Sequence, residues 1–332
     1  MRRNLDTIAV VRTDRLGDMA LTLPLLGALR RALPEARLGL VARSYVAPLV
    51  EDCPVVDRVE YADRLRDGVS EALAVLRPDV VFFPRPRFSE ALAAVWRRIP
   101  VRVGSLYRLY SPLFSIKIPE HRSDALRHEA EYNVRMAQIA FARLFPGRFP
   151  DELFATELVR PAIQPDAAAS VREKLLAAGV NPDTPFVVIH PGSGGSTPVW
   201  PAENFGRVAA LFTHKTAIPV VITGVEAERE VCDAAAVGAA NLCGRLSLAE
   251  MIALLGCASA MLANSTGTLH VAAALGTSVV GLYPNSPAVS PRRWRPYSPN
   301  AMVITPPDGS DRMELIAPEA AAEALERAAD SG

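Results

Sequence analysis

Cysteine is scarce in this sequence: four residues in 332, none in C-x-x-C spacing. This scatter argues against a disulfide framework or a cysteine zinc site, and predicts that Cys53, Cys232, Cys243 and Cys257 are buried free thiols. No apolar run approaches the ~20 residues of a membrane span. The N-terminal residues also lack the apolar core and cleavage site of a signal peptide. These absences predict a cytoplasmic protein.

An excess of charge of either sign is also missing. Lys and Arg number 36, and Asp and Glu number 36, so no overall field favours nucleic acid, and none is expected as a partner. The sequence contains no D-x-D and no His/Cys cluster with ligand spacing, so neither a metal nor a cofactor is predicted. A dinucleotide fold needs G-x-G-x-x-G after its first strand, but only Gly17 is there, which argues against a dehydrogenase.

Short apolar runs alternate with amphipathic stretches throughout the chain, which is typical of βαβ units and parallel sheets. At this length two domains are expected, 1–160 and 161–332, joined by a proline-containing stretch around 150–166. One long helix is predicted over residues 18–33. A final amphipathic helix at 318–329 either packs on the second domain or returns to the first.

The first informative segment runs from Ile8 to Met19, an apolar strand followed by a loop and a helix that is expected to begin near Asp18. In open α/β sheets ligands gather at the carboxyl ends of strands. A carboxylate there is placed to take a proton from a hydroxyl group. Asp is equally favoured as a helix N-cap, so Asp18 is either a general base or a cap.

Two further segments follow strands in the second half. His190–Pro201 contains the predicted phosphate loop Ser193, Gly194, Gly195 and Ser196, which is otherwise an ordinary linker. Asn264–Gly276 places hydroxyl groups at a helix start, where N–H groups and the helix dipole favour a diphosphate. The predicted contacts there are Ser265, Thr266, Gly267, Thr268 and His270. A plain Ser/Thr N-cap and a packed histidine are the alternatives.

Taken together, the three segments resemble glycosyltransferase family 9, the family of the ADP-heptose:lipopolysaccharide heptosyltransferases. The likeness rests on Arg12 with Leu16-Gly17-Asp18, on His190-Pro191-Gly192 with Trp200-Pro201, and on Ser265-Thr266-Gly267 with His270. The resemblance implies an α/β fold of GT-B architecture, in which two Rossmann-like domains with parallel sheets face each other across a cleft. The first domain would bind the acceptor and the second the nucleotide sugar.

The resemblance also implies roles for single residues. Asp18 would be the general base of an inverting, metal-independent transfer, and the glycine loop and the Ser265 segment would hold the leaving diphosphate. Glu226, with Glu228 as its rival, would contact the nucleoside, although a first-turn carboxylate needs no ligand to explain it. Heptosyltransferases typically carry a lysine where this chain has Pro198-Val199, and Asp-Thr-Gly where it has Ser265-Thr266-Gly267.

The missing lysine calls for another cation. The candidates for phosphate or acceptor contacts are Arg12, Arg15 and Arg292, with Arg293 more simply a surface residue. Between Arg85 and Arg127 nine cations face three acids, a net charge of +6, with aromatic residues interleaved. This stretch suits a phosphorylated glycolipid or anionic polysaccharide and a peripheral contact with the anionic inner membrane, or it is only a solvated face.

These features predict an enzyme that transfers heptose or a related sugar, with ADP-heptose as one candidate donor, to a lipopolysaccharide core or another surface glycan. Two alternatives remain. The first is a non-catalytic nucleotide-sugar or glycan-binding protein, suggested by the lost lysine and carboxylate. The second is a nucleotide-sugar epimerase, which shares the architecture but needs no acceptor.

Overall fold

The first part of the chain folds around a parallel sheet built from the apolar runs of the sequence. The computed structural model describes residues 5–195 and 198–331. The strands are β1 (Thr7–Val11), β2 (Arg37–Ala42), β3 (Arg58–Tyr61), β4 (Val80–Phe82), β5 (Val101–Ser105) and β6 (Ile116–Ile118). Their order is β3-β2-β1-β4-β5-β6, and every neighbouring pair is parallel. The chain changes direction across the sheet between β1 and β4, which is where such sheets bind ligands.

The helices of this unit lie between its strands, as the alternating pattern predicts. They are α1 (Leu16–Ala20), α2 (Leu23–Ala32), α3 (Ala47–Val50), α4 (Val69–Leu76), α5 (Phe88–Trp96) and α6 (Glu129–Leu144). The single helix predicted over 18–33 is wrong, because a turn at Leu21 and Thr22 separates α1 from α2. Pro24 occupies the first turn of α2, and a proline ring there clashes with the carbonyl four residues earlier in a continuous helix.

The second part of the chain repeats the same topology. Its strands are β7 (Val187–His190), β8 (Val220–Ile222), β9 (Ala240–Asn241), β10 (Ala260–Asn264), β11 (Ser278–Leu282) and β12 (Ala301–Ile304). Their order is β12-β11-β10-β7-β8-β9, again all parallel, with the change of direction between β7 and β10. The helices are α7 (Pro165–Ala177), α8 (Ala202–Thr216), α9 (Arg229–Ala235), α10 (Leu248–Cys257), α11 (Gly267–Leu275), α12 (Pro291–Trp294) and α13 (Pro318–Asp330).

The two compact units divide between Ala162 and Ile163. The core of the second unit contains Trp200, whose ring meets that of Phe205 edge-on with centroids 4.9 Å apart. The last helix, α13, buries its apolar stripe in that same core and packs on α8 and β11. Its amphipathic pattern is therefore explained by packing within the second unit.

The thiols follow the sequence prediction in three cases of four. All four cysteines are free, and Cys53, Cys232 and Cys243 are buried, whereas Cys257 is exposed. Burial of Cys257 was therefore the wrong expectation: it is the last residue of α10 and follows the exposed Gly256. The Cys232 and Cys243 thiols donate to the carbonyl oxygens of Thr223 and Val225.

Gly104 on β5 gives a test of how tightly the first unit is packed. A Cβ at this position would lie 2.5 Å from the ring of Phe114, which is buried. We expect Gly104→Ala to lower the free energy of unfolding by about 1–3 kcal/mol, because the added methyl group overpacks the core. Urea denaturation measures the loss. In a Phe114→Leu background the same glycine substitution should cost clearly less, and equal costs in both backgrounds would contradict the steric explanation.

Candidate active site

A buried arginine organises the carboxyl end of β1. Arg12 follows that strand directly, its backbone N–H donates to the Val41 carbonyl oxygen at 2.9 Å, and its side chain is only 1% exposed. Its Nε lies 3.3 Å from Asp14 Oδ2, and its Nη2 forms an ion pair with Asp18 Oδ1. Since a buried charge needs partners, these two carboxylates are what allow the guanidinium to stay there.

Asp18 is therefore held as one partner of an ion pair and does not cap a helix. Helix α1 begins at Leu16 with Arg15 as its N-cap residue, so the N-cap alternative for Asp18 is wrong. Its position in the first turn still gains from the helix dipole. The Thr22 hydroxyl donates to the Asp18 backbone oxygen at 2.8 Å, which ties the end of α1 to its first turn. The carboxylate is thus fixed at the carboxyl end of β1.

Asp14 joins the loops on the two sides of the change in sheet direction. Its Oδ1 accepts from Arg85 Nη1 at 3.3 Å and from Arg87 Nη2 at 3.2 Å, both in the loop that follows β4. The carboxylate is 2% exposed, whereas the two arginine side chains are 59% and 54% exposed. Asp14 thus aligns two exposed cations beside Arg12. No motif of the sequence had pointed to this residue.

Glu90 anchors the same loop from α5. The Thr13 hydroxyl donates to Glu90 Oε1 at 2.5 Å, and the Arg87 backbone N–H donates to Oε2 at 3.2 Å. Burial raises the pKa of Glu90, because the charged carboxylate loses hydration there. One of the three acids in the cationic stretch is therefore inside the protein, which leaves the surface of that stretch more positive.

In the second unit, polar side chains gather where β8, β7 and β10 end. His190 Nδ1 lies 3.0 Å from the Thr223 hydroxyl oxygen. Asn264 reaches both ends of the 190–201 loop: its Nδ2 donates to the Pro191 carbonyl oxygen at 2.7 Å, and its Oδ1 accepts from the Trp200 N–H at 3.1 Å. The end of β10 therefore fixes the path of the glycine loop.

Glu228 closes the described part of that loop. Its Oε1 accepts from the Gly194 N–H at 3.2 Å and its Oε2 from the Val225 N–H at 3.1 Å. A Cβ at Gly192 would collide with the same carboxylate, so a larger residue there would displace Glu228 from these bonds. The Gly195 N–H donates to the Ser193 hydroxyl oxygen at 3.3 Å. The two amides predicted to bind phosphate thus already have acceptors, and Ser196 lies outside the described residues.

The start of α11 differs from the glycine loop because no side chain among the described residues caps its N–H groups. Thr266 is the N-cap residue, but its side chain makes no capping hydrogen bond, so the plain N-cap alternative is wrong. The N–H groups of a first helical turn have no partners within the helix and carry the positive end of its dipole. Among the described residues, the buried Thr268 hydroxyl also has no hydrogen-bond partner. His270 is buried on the same helix.

Glu226 and Arg292 lie on the surface of this unit. Glu226 is exposed and forms an ion pair with Arg229, and the Arg229 hydrogen bond lowers the pKa of the carboxyl group. Arg292 is exposed on α12, which is tied to the end of β11 because the Tyr283 hydroxyl donates to the Trp294 carbonyl oxygen at 2.8 Å. In the first unit, Arg15 is likewise exposed.

The ordered motifs and this geometry agree with the family comparison. Residues 120–314, more than half of the chain, match the sequence model of glycosyltransferase family 9 (heptosyltransferase). The chain belongs to glycosyltransferase family 9. The match includes the glycine loop and the start of α11.

Relatives of this family 9 enzyme align along most of its length. Lipopolysaccharide heptosyltransferase 2 of Salmonella typhimurium is 26% identical, over 90% of this chain and 87% of the relative. A family 9 structure from Veillonella parvula has a TM-score of 0.85 at 20% identity, covering 100% of this chain and 99% of that one. Escherichia coli ADP-heptose lipopolysaccharide heptosyltransferase II has a TM-score of 0.77 at 21% identity, covering 98% and 99%. The predicted α/β fold of the GT-B class is confirmed, and the protein is a glycosyltransferase.

Across residues 5–195 and 198–331, no three His, Cys, Asp or Glu side chains are grouped so that they would hold a metal ion. Within the same ranges, no helix has the length and hydropathy needed to cross a membrane.

His190 of the glycosyltransferase gives a pH-dependent test of the site. Burial lowers the pKa of His190 below its ordinary value of 6.5, with Glu228 opposing in part. As the pH falls below about 6.5, the unfolded chain takes up a proton that the folded chain resists, so stability should decrease. His190→Gln should flatten this dependence by up to about 1.4 kcal/mol per pH unit, measured by urea denaturation at several pH values. The exposed His214→Gln is the matched control, and an equal flattening in both variants would contradict the prediction.

Proposed function

We propose that the enzyme transfers a sugar from a nucleotide-sugar donor to a hydroxyl group of a phosphorylated glycolipid or polysaccharide, with inversion and without a metal ion. ADP-heptose is the first donor to test and a lipopolysaccharide core the first acceptor, since relatives over the full length carry those names. The single observation behind the proposal is the Asp18 carboxylate, which is fixed by Arg12 at the carboxyl end of β1 and is not used as a helix cap.

In the proposed reaction Asp18 acts as the general base. Because Arg12 engages Oδ1, the proton of the acceptor hydroxyl group goes to Oδ2. The acceptor oxygen forms its bond to the anomeric carbon as the bond from that carbon to the diphosphate oxygen breaks on the opposite face. The nucleoside diphosphate leaves with the electron pair. The buried Arg12 Nη1, which has no hydrogen-bond partner among the described residues, supplies a donor beside the base.

Charge that develops on the leaving diphosphate needs fixed donors. The proposal assigns them to the start of α11, from Ser265 to Thr268, because its first-turn N–H groups and the Thr268 hydroxyl are not used by a side-chain cap. The Ser193–Ser196 loop has a secondary role, in which diphosphate would compete with Glu228 for the Gly194 N–H. His270 and Arg292 belong to the same proposed donor site, with Glu226 on the nucleoside. The enzyme would work in the cytoplasm, at the inner face of the membrane that holds the acceptor.

Replacing the base tests the reaction directly. We expect Asp18→Asn to lower kcat by about 10²–10⁴-fold, because proton transfer by a positioned carboxylate contributes that much, while donor affinity stays unchanged. Transfer from ADP-heptose to deacylated lipopolysaccharide core is followed by mass spectrometry, with NMR for the configuration at the anomeric carbon and a chelator arm for metal dependence. Asp67→Asn, an exposed carboxylate in the same unit, is the control.

The outcomes separate the alternatives. An Asp18→Asn enzyme as fast as the parent would refute the assignment of the base. Donor binding without turnover on any acceptor would indicate a binding protein. Conversion of the free nucleotide sugar without an acceptor would indicate an epimerase.

Thr268 tests the donor site separately. A thermal-shift series with ADP-, GDP-, UDP- and CMP-sugars should show the largest rise in Tm with the true donor, since a ligand that binds only the folded state stabilises it. Thr268→Val should weaken the binding of that donor about 10- to 100-fold, because a hydrogen bond to a charged group contributes a free energy of that size. The exposed Thr213→Val on α8 is the control, and equal affinities in both variants would remove Thr268 from the site.

A further inference from the structure

Four large apolar side chains are exposed on the two loops that follow the last strands of the first sheet. Leu106, Tyr107 and Leu109 follow β5, and Leu126 follows β6; their exposed fractions are 40%, 51%, 103% and 63%. We call these four residues the apolar tip. Large apolar side chains exposed on neighbouring loops often mark a binding surface.

The apolar tip is held together by contacts between its two loops. The Leu106 N–H donates to the Ile118 carbonyl oxygen at 3.0 Å, and the ring of Tyr107 meets that of His121 edge-on with centroids 4.6 Å apart. The Leu126 N–H donates to the Tyr132 hydroxyl oxygen at 3.1 Å. Both loops are therefore parts of one surface.

The chain just beyond Leu109 is anchored inward, so Leu109 is kept in the open. The Tyr110 hydroxyl donates to the Pro86 carbonyl oxygen at 2.6 Å, and its ring packs edge-on against Phe88. The Ser111 N–H donates to the Arg108 carbonyl oxygen at 2.8 Å, which closes the turn around Leu109. Because this turn is fixed on both sides, burying Leu109 within its own loop would break these bonds.

Several cations lie on the same loops as the apolar tip or on the loop after β4. Arg108 and Arg127 are exposed beside the apolar tip, and Arg85 and Arg87, at the same edge, are held by Asp14 with their side chains more than half exposed. The stretch 85–127 carries a net charge of +6, and Glu90, one of its three acids, is buried. Apolar and aromatic side chains ringed by Lys and Arg are the combination that binds an anionic bilayer, where each cation adds attraction and Tyr favours the interface.

The position in the sheet favours a bilayer over a protein partner. β5 is separated from β1 only by β4, so the apolar tip follows a strand that lies about 10 Å, at the usual strand spacing, from the strand that leads to Asp18. If the acceptor is lipid-linked, as the proposed function has it, an edge that touches the lipid surface brings the acceptor hydroxyl group toward the base.

We propose that the apolar tip inserts into an anionic lipid bilayer, with Leu109 as its deepest residue and the neighbouring arginines on the lipid headgroups. The proposed insertion rests on the proposed function in one respect only, namely that the acceptor is at the membrane. The binding itself needs neither donor nor acceptor.

Vesicle co-sedimentation of the full chain tests the proposal. Vesicles with roughly 30% phosphatidylglycerol in phosphatidylcholine should bind the protein, and pure phosphatidylcholine should bind it much less. Leu109→Ser should weaken binding about 10- to 100-fold, because burying one leucine side chain contributes a free energy of that size. Arg108→Gln should weaken it about fivefold and reduce its sensitivity to salt. Leu176→Ser on α7, where the native side chain is 55% exposed, is the matched control and should bind like the parent.

A fluorescence measurement separates insertion from surface adhesion. Leu109→Trp should show a blue-shifted emission with these vesicles and quenching by brominated acyl chains, and Leu176→Trp should show neither. Equal vesicle binding by Leu109→Ser and the parent would overturn the proposal. So would a Leu109-dependent dimer in analytical ultracentrifugation without lipid, which would assign the tip to a second copy of the chain.

Measuring transfer to a water-soluble acceptor distinguishes failure of membrane docking from failure of the proposed function. Leu109→Ser should transfer sugar to deacylated core oligosaccharide at the parent rate, because the tip is not part of the site. Loss of vesicle binding with normal transfer supports the docking role. Normal vesicle binding in Leu109→Ser with normal transfer refutes docking and leaves the chemistry standing.

Discussion

The buried guanidinium of Arg12 is the constraint on which the first unit's site depends. Its side chain is 1% exposed, and the loop after β1 must bring two carboxylates to it, those of Asp14 and Asp18. Removing one partner of a buried pair typically costs 3–5 kcal/mol, because the other charge stays behind without compensation. Asp14 then aligns Arg85 and Arg87 from the loop after β4. One buried cation thus fixes both the proposed base and the cations next to it.

The second unit reaches the same topology with a different chemistry at the corresponding edge. There the loops are held by neutral groups, the Asn264 amide and the His190–Thr223 pair, and by Glu228 on backbone N–H groups. A proton acceptor needs a carboxylate, whereas a diphosphate needs donors and would be repelled by one. The two sheets share strand order, yet the loops at the first edge are held by the ion pairs of Arg12, whereas those at the second are held largely by neutral groups and backbone N–H groups.

The apolar runs of the sequence indicate the central strands, because buried parallel strands are continuous apolar runs. They do not indicate β6, β9 and β12, which lie at sheet edges and have two to four residues, too few to show a period. The sequence pattern pointed to Asp18 but not to Asp14, the second carboxylate on Arg12, whose bond to Arg85 spans 71 positions. Likewise Glu228 meets Gly194 across 34 positions, so nothing in the local pattern indicates that this amide already has an acceptor.

The two departures from the heptosyltransferase pattern make physical sense when they are considered together. The resemblance expects a lysine where Pro198-Val199 stands, both exposed, and a carboxylate where Ser265 stands, nearly buried. Losing one member of such a charge pair would leave the other without compensation, whereas losing both costs little. The proposed donor site would then depend on the N-terminus of α11, whose dipole a carboxylate at Ser265 would have partly neutralised. The exchange would therefore leave the proposed site to backbone N–H and hydroxyl groups.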